Sequence, residues 1–148
     1  MKAFFTALLV GSSAAAAAQT TPAAELAPPL ARQNYHRHPG EKQTGYARAV
    51  LVGNTLYISG VVAAGSTMAE QLEGVYQNLA QTLAHHGLTF QHVVKENLYA
   101  TDLAAMAEQL ELRRKYYNGI YPAATWVEVR RLLNPKAMIE VELTAVRP

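Results

Sequence analysis

The chain has 148 residues and half of them are hydrophobic, which is enough apolar material for the core of one domain. Its formal net charge of +2 is too small to indicate a nucleic-acid partner or an anionic membrane surface. Because the sequence contains no cysteine, thiol catalysis and a disulfide framework are excluded.

Residues 1–18 have the three parts of a secretory signal peptide. Lys2 supplies a positive charge, Ala3–Val10 is a short apolar run, and Ala16–Ala18 offers an A-x-A cleavage site. The apolar run is well short of the roughly 20 residues that span a bilayer. We therefore predict cleavage near Ala18, a periplasmic or secreted mature protein, and no membrane contact after cleavage.

Residues 19–42 are predicted to form a flexible N-terminal arm, because they are rich in Ala, Pro and polar residues and have no period. His36 and His38 lie two residues apart, a spacing that would place both imidazoles on one face of a strand. A metal site needs further ligands, and none lies nearby in the sequence. We therefore predict no metal and no cofactor.

Residues 43–148 are predicted to form one folded domain that begins with a β-hairpin. The strand-like runs Ala47–Val52 and Thr55–Val62 are rich in β-branched and aromatic residues. Gly53-Asn54 between them suits a two-residue turn of type I′ or II′.

A helix follows the hairpin. Thr67-x-x-Glu70 is a capping box, and the apolar residues after it recur at helical spacing up to His85-His86-Gly87. Glycine at that point is typical of a left-handed helix end, and the neighbouring histidines suit the negative end of the helix dipole. The apolar stripe consists of Leu72, Val75, Tyr76, Leu79 and Leu83.

The second half of the domain repeats the pattern of strand and helix and then closes with two strands. Phe90–Ala100 contains a strand, Thr101 or Asp102 can cap a second helix, and Asn118-Gly119 ends that helix. Thr125–Val129 and Met138–Val146 are the closing strands. The predicted order is β-β-α-β-α-β-β, an α+β fold in which two helices cover one face of a mixed sheet.

The last strand alternates between an aliphatic face and a face that carries two carboxylates, Glu140 and Glu142. The pattern leaves open whether these acids are solvated or line a pocket. With helices on one side only, we expect the opposite sheet face to be partly apolar and to require a partner. The aliphatic face is formed by Ile139, Val141, Leu143 and Ala145.

The closing segment resembles the C-terminal signature of the RidA (YjgF) family. The matching residues there are Tyr121-Pro122, Val127–Val129, Pro135-Lys136, Ile139–Glu142 and Ala145-Val146. The resemblance continues upstream through Gly45-Tyr46, Val52–Tyr57, Ser59-Gly60 and Val93–Lys95, and it spans Gly45 to Arg147. It implies a RidA/chorismate-mutase-like fold, a homotrimer, and a site between subunits where reactive enamines and imines are hydrolysed.

The same resemblance implies the residues of that site. Glu140 corresponds to the glutamate that positions or activates water, and Tyr46, Ser59 and Gly60 correspond to the tyrosine and the backbone corner that line the pocket. Ala124 stands where deaminases carry the arginine that binds the substrate carboxylate. Two further pocket positions depart from the family pattern: Trp126 replaces a residue that is often small, and Leu110 replaces a polar one.

Two hypotheses about function follow. The first is a homotrimeric, RidA-like protein that binds a small molecule between subunits and has weak or no deaminase activity, with Trp126 filling the volume that the arginine would occupy. The second is a hydrolase of enamines, 2-imino acids or related C=N compounds, in which Arg130 or another group replaces the missing arginine. Neither hypothesis involves nucleic acid.

Overall fold

The computed structural model describes residues 29–148, so the predicted signal peptide and residues 19–28 of the predicted arm lie outside the described residues. The strands are β1 (Gln33–Tyr35), β2 (Ala49–Val52), β3 (Thr55–Val61), β4 (Val93–Ala100), β5 (Ala123–Glu128) and β6 (Ile139–Val146). The helices are α1 (Pro39–Thr44), α2 (Met68–His85), α3 (Leu103–Ala107) and α4 (Leu110–Tyr117), and a short 3₁₀ helix spans Phe90–His92. None of the helices in this part of the chain is long and apolar enough to cross a membrane.

The six strands form one mixed sheet in the order β1-β2-β3-β6-β4-β5. Only β4 and β5 run parallel, and α3 and α4 make the crossover between them. Helices α2, α3 and α4 pack on one face of the sheet, where they bury the aliphatic face of β6 in the main core. The predicted α+β fold with a mixed sheet is therefore confirmed.

Local sequence signals determine where several elements begin and end. Gly53 has a φ of 59° and joins β2 to β3, which fits the type II′ option for the hairpin turn. The Thr67 hydroxyl accepts a hydrogen bond from the amide of Glu70, and the Glu70 carboxylate accepts one from the amide of Ser66. Gly87, with a φ of 71°, follows α2, as its sequence predicts.

The predicted second helix is two shorter helices, because α3 ends at Ala107 and α4 begins at Leu110. The Asp102 side chain caps α3 by accepting a hydrogen bond from the amide of Ala105. Asn118, with a φ of 47°, then ends α4.

The described part of the predicted flexible arm is instead structured. Residues 33–35 form β1, which pairs antiparallel with β2 and widens the sheet by one strand. Arg37 anchors the next segment to α2 through hydrogen bonds to Asn78 and Gln81. The ring of Tyr35 stacks on that of His85 at a centroid distance of 3.9 Å. Contacts with residues distant in sequence therefore order this segment, although its own sequence has no periodic pattern.

The sheet face opposite the helices carries both polar and apolar side chains, in agreement with the expected partly apolar surface. Glu140 and Glu142 on β6 lie on this face next to Tyr99 and Asn97 on β4, because the register pairs Tyr99 with Glu140 and Asn97 with Glu142. The exposed ring of Tyr57 is the main apolar contribution from β3. We call this surface, made of these five side chains with Lys95 and Thr144, the open face.

Candidate active site

A cleft of about 440 Å³ lies at the edge of the open face, where β3 and β6 meet. It brings together four of the residues that the sequence analysis selected: Tyr46, Ser59, Gly60 and Glu140. Thr44, Val62, Leu133 and Asn134 complete the wall and were not predicted.

A bulge in β3 shapes this cleft. The register with β6 shifts between Ile58 and Val61, so Ser59 and Gly60 leave the regular ladder. Ser59 is held there by two hydrogen bonds: its hydroxyl donates to the carbonyl of Ala47 at 2.7 Å, and its amide donates to the carbonyl of Arg48. The serine side chain thus stabilises the corner instead of pointing a free hydroxyl at a ligand.

Gly60 gives Glu140 the space it occupies. A Cβ atom at position 60 would lie 1.9 Å from Oε1 of Glu140 and 2.8 Å from its Cδ. Any larger residue would therefore displace the carboxylate. The close approach of backbone and carboxylate explains why the corner requires glycine at a position whose φ is not in the left-handed region.

The environment of Glu140 favours its protonated form. Burial raises the pKa of Glu140, and the nearby Glu142 carboxylate raises it further, while no hydrogen-bond donor among residues 29–148 lowers it. Glu142 differs, because it accepts hydrogen bonds from Nδ2 of Asn97 at 2.7 Å and from the hydroxyl of Tyr99 at 3.2 Å. One carboxylate of the pair is thus tied to its neighbours, and the other is available to exchange a proton with a ligand or water.

Tyr46 reaches the cleft from the end of α1. Gly45, with a φ of 88°, ends that helix, and the amide of Tyr46 donates to the carbonyl of Glu41. Glu41 is buried, and its carboxylate binds Arg48 at 2.9 Å and the amide of Arg37 at 2.7 Å. These bonds hold the pKa of Glu41 below its usual range against the opposing effect of burial. The N-terminal segment therefore positions one wall of the site.

The other three predicted site residues lie elsewhere. Ala124 and Trp126 pair with Glu96 and Leu98 of β4, which face the helices, whereas Glu140 is on the open face. Leu110 begins α4 and packs against the main core. Within one chain, Trp126 does not fill the Glu140 cleft, and the cleft contains no arginine.

Arg130, the candidate replacement for the missing arginine, lies outside the regular part of β5, so strand alternation does not assign it to the face of Ala124. The regular strand ends at Glu128, and the amide of Val129 donates to the carbonyl of Ala100 as the chain turns away. Arg130 is exposed in the connection that follows.

Glu96 carries a buried carboxylate that was not predicted from the sequence. It is fully buried and accepts four hydrogen bonds. A bulge between Val93 and Lys95 places both Val93 and Glu96 on the core face of β4, although they are three residues apart. The donors are the hydroxyls of Tyr76 (2.8 Å) and Tyr117 (2.6 Å), Nε of Arg113 (2.9 Å) and Nε1 of Trp126 (3.1 Å).

The only sequence signal for this cluster was an acidic residue in a strand that is otherwise suited to burial, followed by an aromatic pair, Tyr116-Tyr117, on a nearby helix. Burial and the Glu96 carboxylate raise the pKa values of Tyr76 and Tyr117, so both hydroxyls remain protonated donors. In residues 29–148, no three His, Asp or Glu side chains converge in a way that could hold a metal ion.

Comparison with known proteins identifies the family. Residues 38–147 match the family described as Endoribonuclease L-PSP. The chain is 32% identical over 129 residues to the protein DfrA of Myxococcus xanthus, covering 79% of this chain and 97% of that one. It is 31% identical over 111 residues to the 2-iminobutanoate/2-iminopropanoate deaminase of Rattus norvegicus, covering 69% and 80%.

The fold is similar to the crystal structure of Rv2704 from Mycobacterium tuberculosis, described as a YjgF/YER057c/UK114 family member. The TM-score is 0.73 at 27% identity, covering 79% of this chain and 100% of that one. The chain belongs to the RidA (YjgF) family. Within one chain, the site residues implied by the RidA resemblance lie in two separate places. One is the Glu140 cleft on the open face, and the other is the face of β5 that carries Ala124 and Trp126.

Proposed function

We propose that this RidA-family chain hydrolyses the C=N bond of a small imine at a site that two subunits of a homotrimer complete. The observation that carries the proposal is the Glu140 carboxylate, held against Gly60 in a cleft and with a raised pKa. A group of this kind can take up and return a proton near neutral pH better than an ordinary glutamate. The deaminase name of the rat relative agrees with this chemistry.

The reaction would proceed in two steps. The Glu140 carboxylate takes a proton from water while the water oxygen bonds to the imine carbon and the electron pair of the C=N bond moves to nitrogen, which gains a proton from the solvent. The protonated Glu140 then donates its proton to that nitrogen, the C–N bond breaks, and the remaining hydroxyl loses its proton as the carbonyl forms. The products are ammonia and a ketone or 2-oxo acid. The proton that the hydroxyl releases to solvent balances the one that nitrogen took from it, and Glu140 is again a carboxylate.

The distance between the Glu140 cleft and the Ala124–Trp126 face supports the proposal that two subunits complete the site. Glu140 lies on the open face and Ala124 on the helix face, so the sheet itself keeps them apart within one chain. The edge strand β5 is exposed over all six residues, which leaves its outer edge available to a second copy. A symmetric trimer would use each β5 edge once and form three equivalent sites. Export, as residues 1–18 indicate, is part of the same proposal.

A second candidate is a protein that binds a small molecule without turning it over. Ala124 favours it, because that position lacks the guanidinium that the family resemblance assigns to substrate binding. Leu110, one of the two further positions that depart from the family pattern, is apolar and favours it too.

The test measures ammonia and pyruvate release from freshly generated 2-iminopropanoate by the purified mature protein. We expect turnover that Glu140→Gln lowers by about 10²–10⁴-fold, the usual contribution of a positioned acid–base group. The matched control is Glu108→Gln, which removes an exposed carboxylate at the end of α3 and is expected to leave the rate unchanged.

Equal rates in wild type and Glu140→Gln would refute the hydrolytic role of Glu140. If wild type gives no turnover above the spontaneous rate, while small molecules still bind saturably, the binding protein is the better description. Sedimentation equilibrium on the same preparation tests the trimer, and a monomer would refute the shared site.

A further inference from the structure

The cluster around Glu96 contains a guanidinium whose binding capacity is largely unused. Arg113 is 6% exposed and its Nε donates to Oε1 of Glu96 at 2.9 Å. Among the described residues this is the one side-chain hydrogen bond of good geometry that Arg113 makes, beside a weaker interaction with the Tyr76 hydroxyl, although a guanidinium carries five N–H donors. The outer nitrogens, Nη1 and Nη2, therefore retain the planar fork that binds carboxylates in a bidentate manner.

Aromatic rings orient this guanidinium. The Cζ atom of Arg113 lies 4.6 Å from the ring centroid of Tyr117, 5.1 Å from that of Trp126 and 5.8 Å from that of Tyr121. At these distances cation–π attraction restrains the side chain. Tyr121 is 53% exposed and Trp126 is 37% exposed, so the cluster extends from a buried carboxylate to the protein surface.

The guanidinium is also next to the position that lacks the family's arginine. Glu96, which Arg113 binds, pairs directly with Ala124 in the parallel register of β4 and β5. Ala124 and Trp126 alternate on the same face of β5, and the Trp126 indole bonds to the same Glu96 oxygen as Arg113.

We propose that Arg113 recognises the carboxylate of the ligand, in place of an arginine at position 124, and that the ligand is a small monoanion with a planar unsaturated group beside its carboxylate. The proposal rests on the proposed function, because it names the substrate class of that shared site. Trp126 and Tyr121 provide flat surfaces for the unsaturated group. Since Glu96 balances the charge of Arg113, the cluster is neutral overall and suits one negative charge better than two.

The competing explanation is that Arg113 only neutralises a buried carboxylate. Glu96→Gln separates the two explanations. It keeps one acceptor oxygen, which can accept either from the two tyrosine hydroxyls or from the indole, and it removes the negative charge that competes for Arg113. If Arg113 binds ligand, its affinity for a carboxylate rises in this variant. If Arg113 serves only the ion pair, the affinity does not rise.

The experiment titrates the mature protein with benzoate and with benzamide, which share a ring and differ in charge. Trp126 is the only tryptophan, so indole fluorescence reports on this cluster alone. Isothermal titration calorimetry provides a second dissociation constant that does not depend on the indole environment. We expect benzoate to bind at least tenfold more tightly than benzamide, and Glu96→Gln to tighten benzoate binding several-fold.

The double variant Glu96→Gln with Arg113→Gln removes both charges, so it leaves no unpaired buried ion, and we expect it to lose the preference for benzoate. Adding Ala124→Arg to the double variant returns a guanidinium to the same site and should restore the preference. Circular dichroism and sedimentation establish that each variant is folded and assembled.

Equal binding of benzoate and benzamide to wild type would overturn the proposal. So would a double variant that keeps the preference, or a Glu96→Gln variant that binds benzoate no more tightly than wild type. The ammonia assay is run in parallel. A preference for benzoate that depends on Arg113, together with no ammonia release, would refute the hydrolase and keep the carboxylate site.

Discussion

The contact between Gly60 and Glu140 makes Gly60→Ala the sharpest test of the catalytic cleft. The added Cβ would lie 1.9 Å from Oε1 of Glu140, and real Cβ contacts shorter than 3.0 Å essentially do not occur. The oxygen must therefore move by at least 1.1 Å, the difference between these two distances. The backbone itself accepts alanine, because the φ of Gly60 is outside the left-handed region. The substitution thus moves one carboxylate and leaves the fold intact.

A displacement of about 1 Å in a reacting group costs on the order of 10²-fold in rate, which corresponds to about 2.7 kcal/mol in the activation free energy. We expect Gly60→Ala to lower kcat/KM for ammonia release by about this factor, with an unchanged oligomer and circular dichroism spectrum.

The matched control is Gly40→Ala, since a Cβ at Gly40 meets no atom within 4 Å. If Gly60→Ala keeps kcat/KM within threefold of wild type while Glu140→Gln is inactive, the described position of Glu140 is not the catalytic one.

Four further predictions concern charge and capping. Glu142→Gln removes one cause of the raised pKa of Glu140, so the acidic limb of the pH–rate profile should move to lower pH, because the base acts only when ionised. Because the pKa of Glu140 is raised in the folded protein, folding favours the protonated form of Glu140. The wild-type protein therefore loses stability as the pH rises through this raised pKa. Glu140→Gln should therefore be more stable than wild type at pH 7 in urea unfolding, and that advantage should vanish below the usual glutamate pKa of 4.5. Arg113→Gln leaves Glu96 buried and unpaired, which should cost about 3–5 kcal/mol of unfolding free energy, and adding Glu96→Gln should recover at least half of it. Asp102→Ala removes the cap of α3 and should cost about 1 kcal/mol in the same assay. An Arg113→Gln variant as stable as wild type, or an acidic limb that Glu142→Gln does not move, would contradict the electrostatic account.

Much of the fold was predictable because its signals are local. The alternation in β6 assigned Ile139 and Val141 to the core and Glu140 to the other face, since side chains of a strand alternate in any context. Likewise, Gly53 and the Thr67 cap specify a turn and a helix start through their own backbone neighbours.

The candidate site was predictable only in part. The family resemblance selected Tyr46, Ser59, Gly60 and Glu140, which the fold brings into one cleft. The hypothesis that Trp126 fills this cleft concerns a pocket between subunits and stays a prediction, because within one chain strand pairing turns Trp126 toward Glu96 on the other side of the sheet.

The sequence by itself determined which residues could form strands and helices, and it placed Glu140 beside the sheet surface. Only the tertiary structure decided what depends on partners distant in sequence. The bulge at the start of β4 follows from its pairing with β6, and it places Glu96 inside the core. The described part of the N-terminal segment is ordered by β2 and α2, since it has no periodic pattern of its own. Arg113 meets Trp126 for the same reason: packing of α4 beside the β4–β5 pair joins two residues that share no local signal.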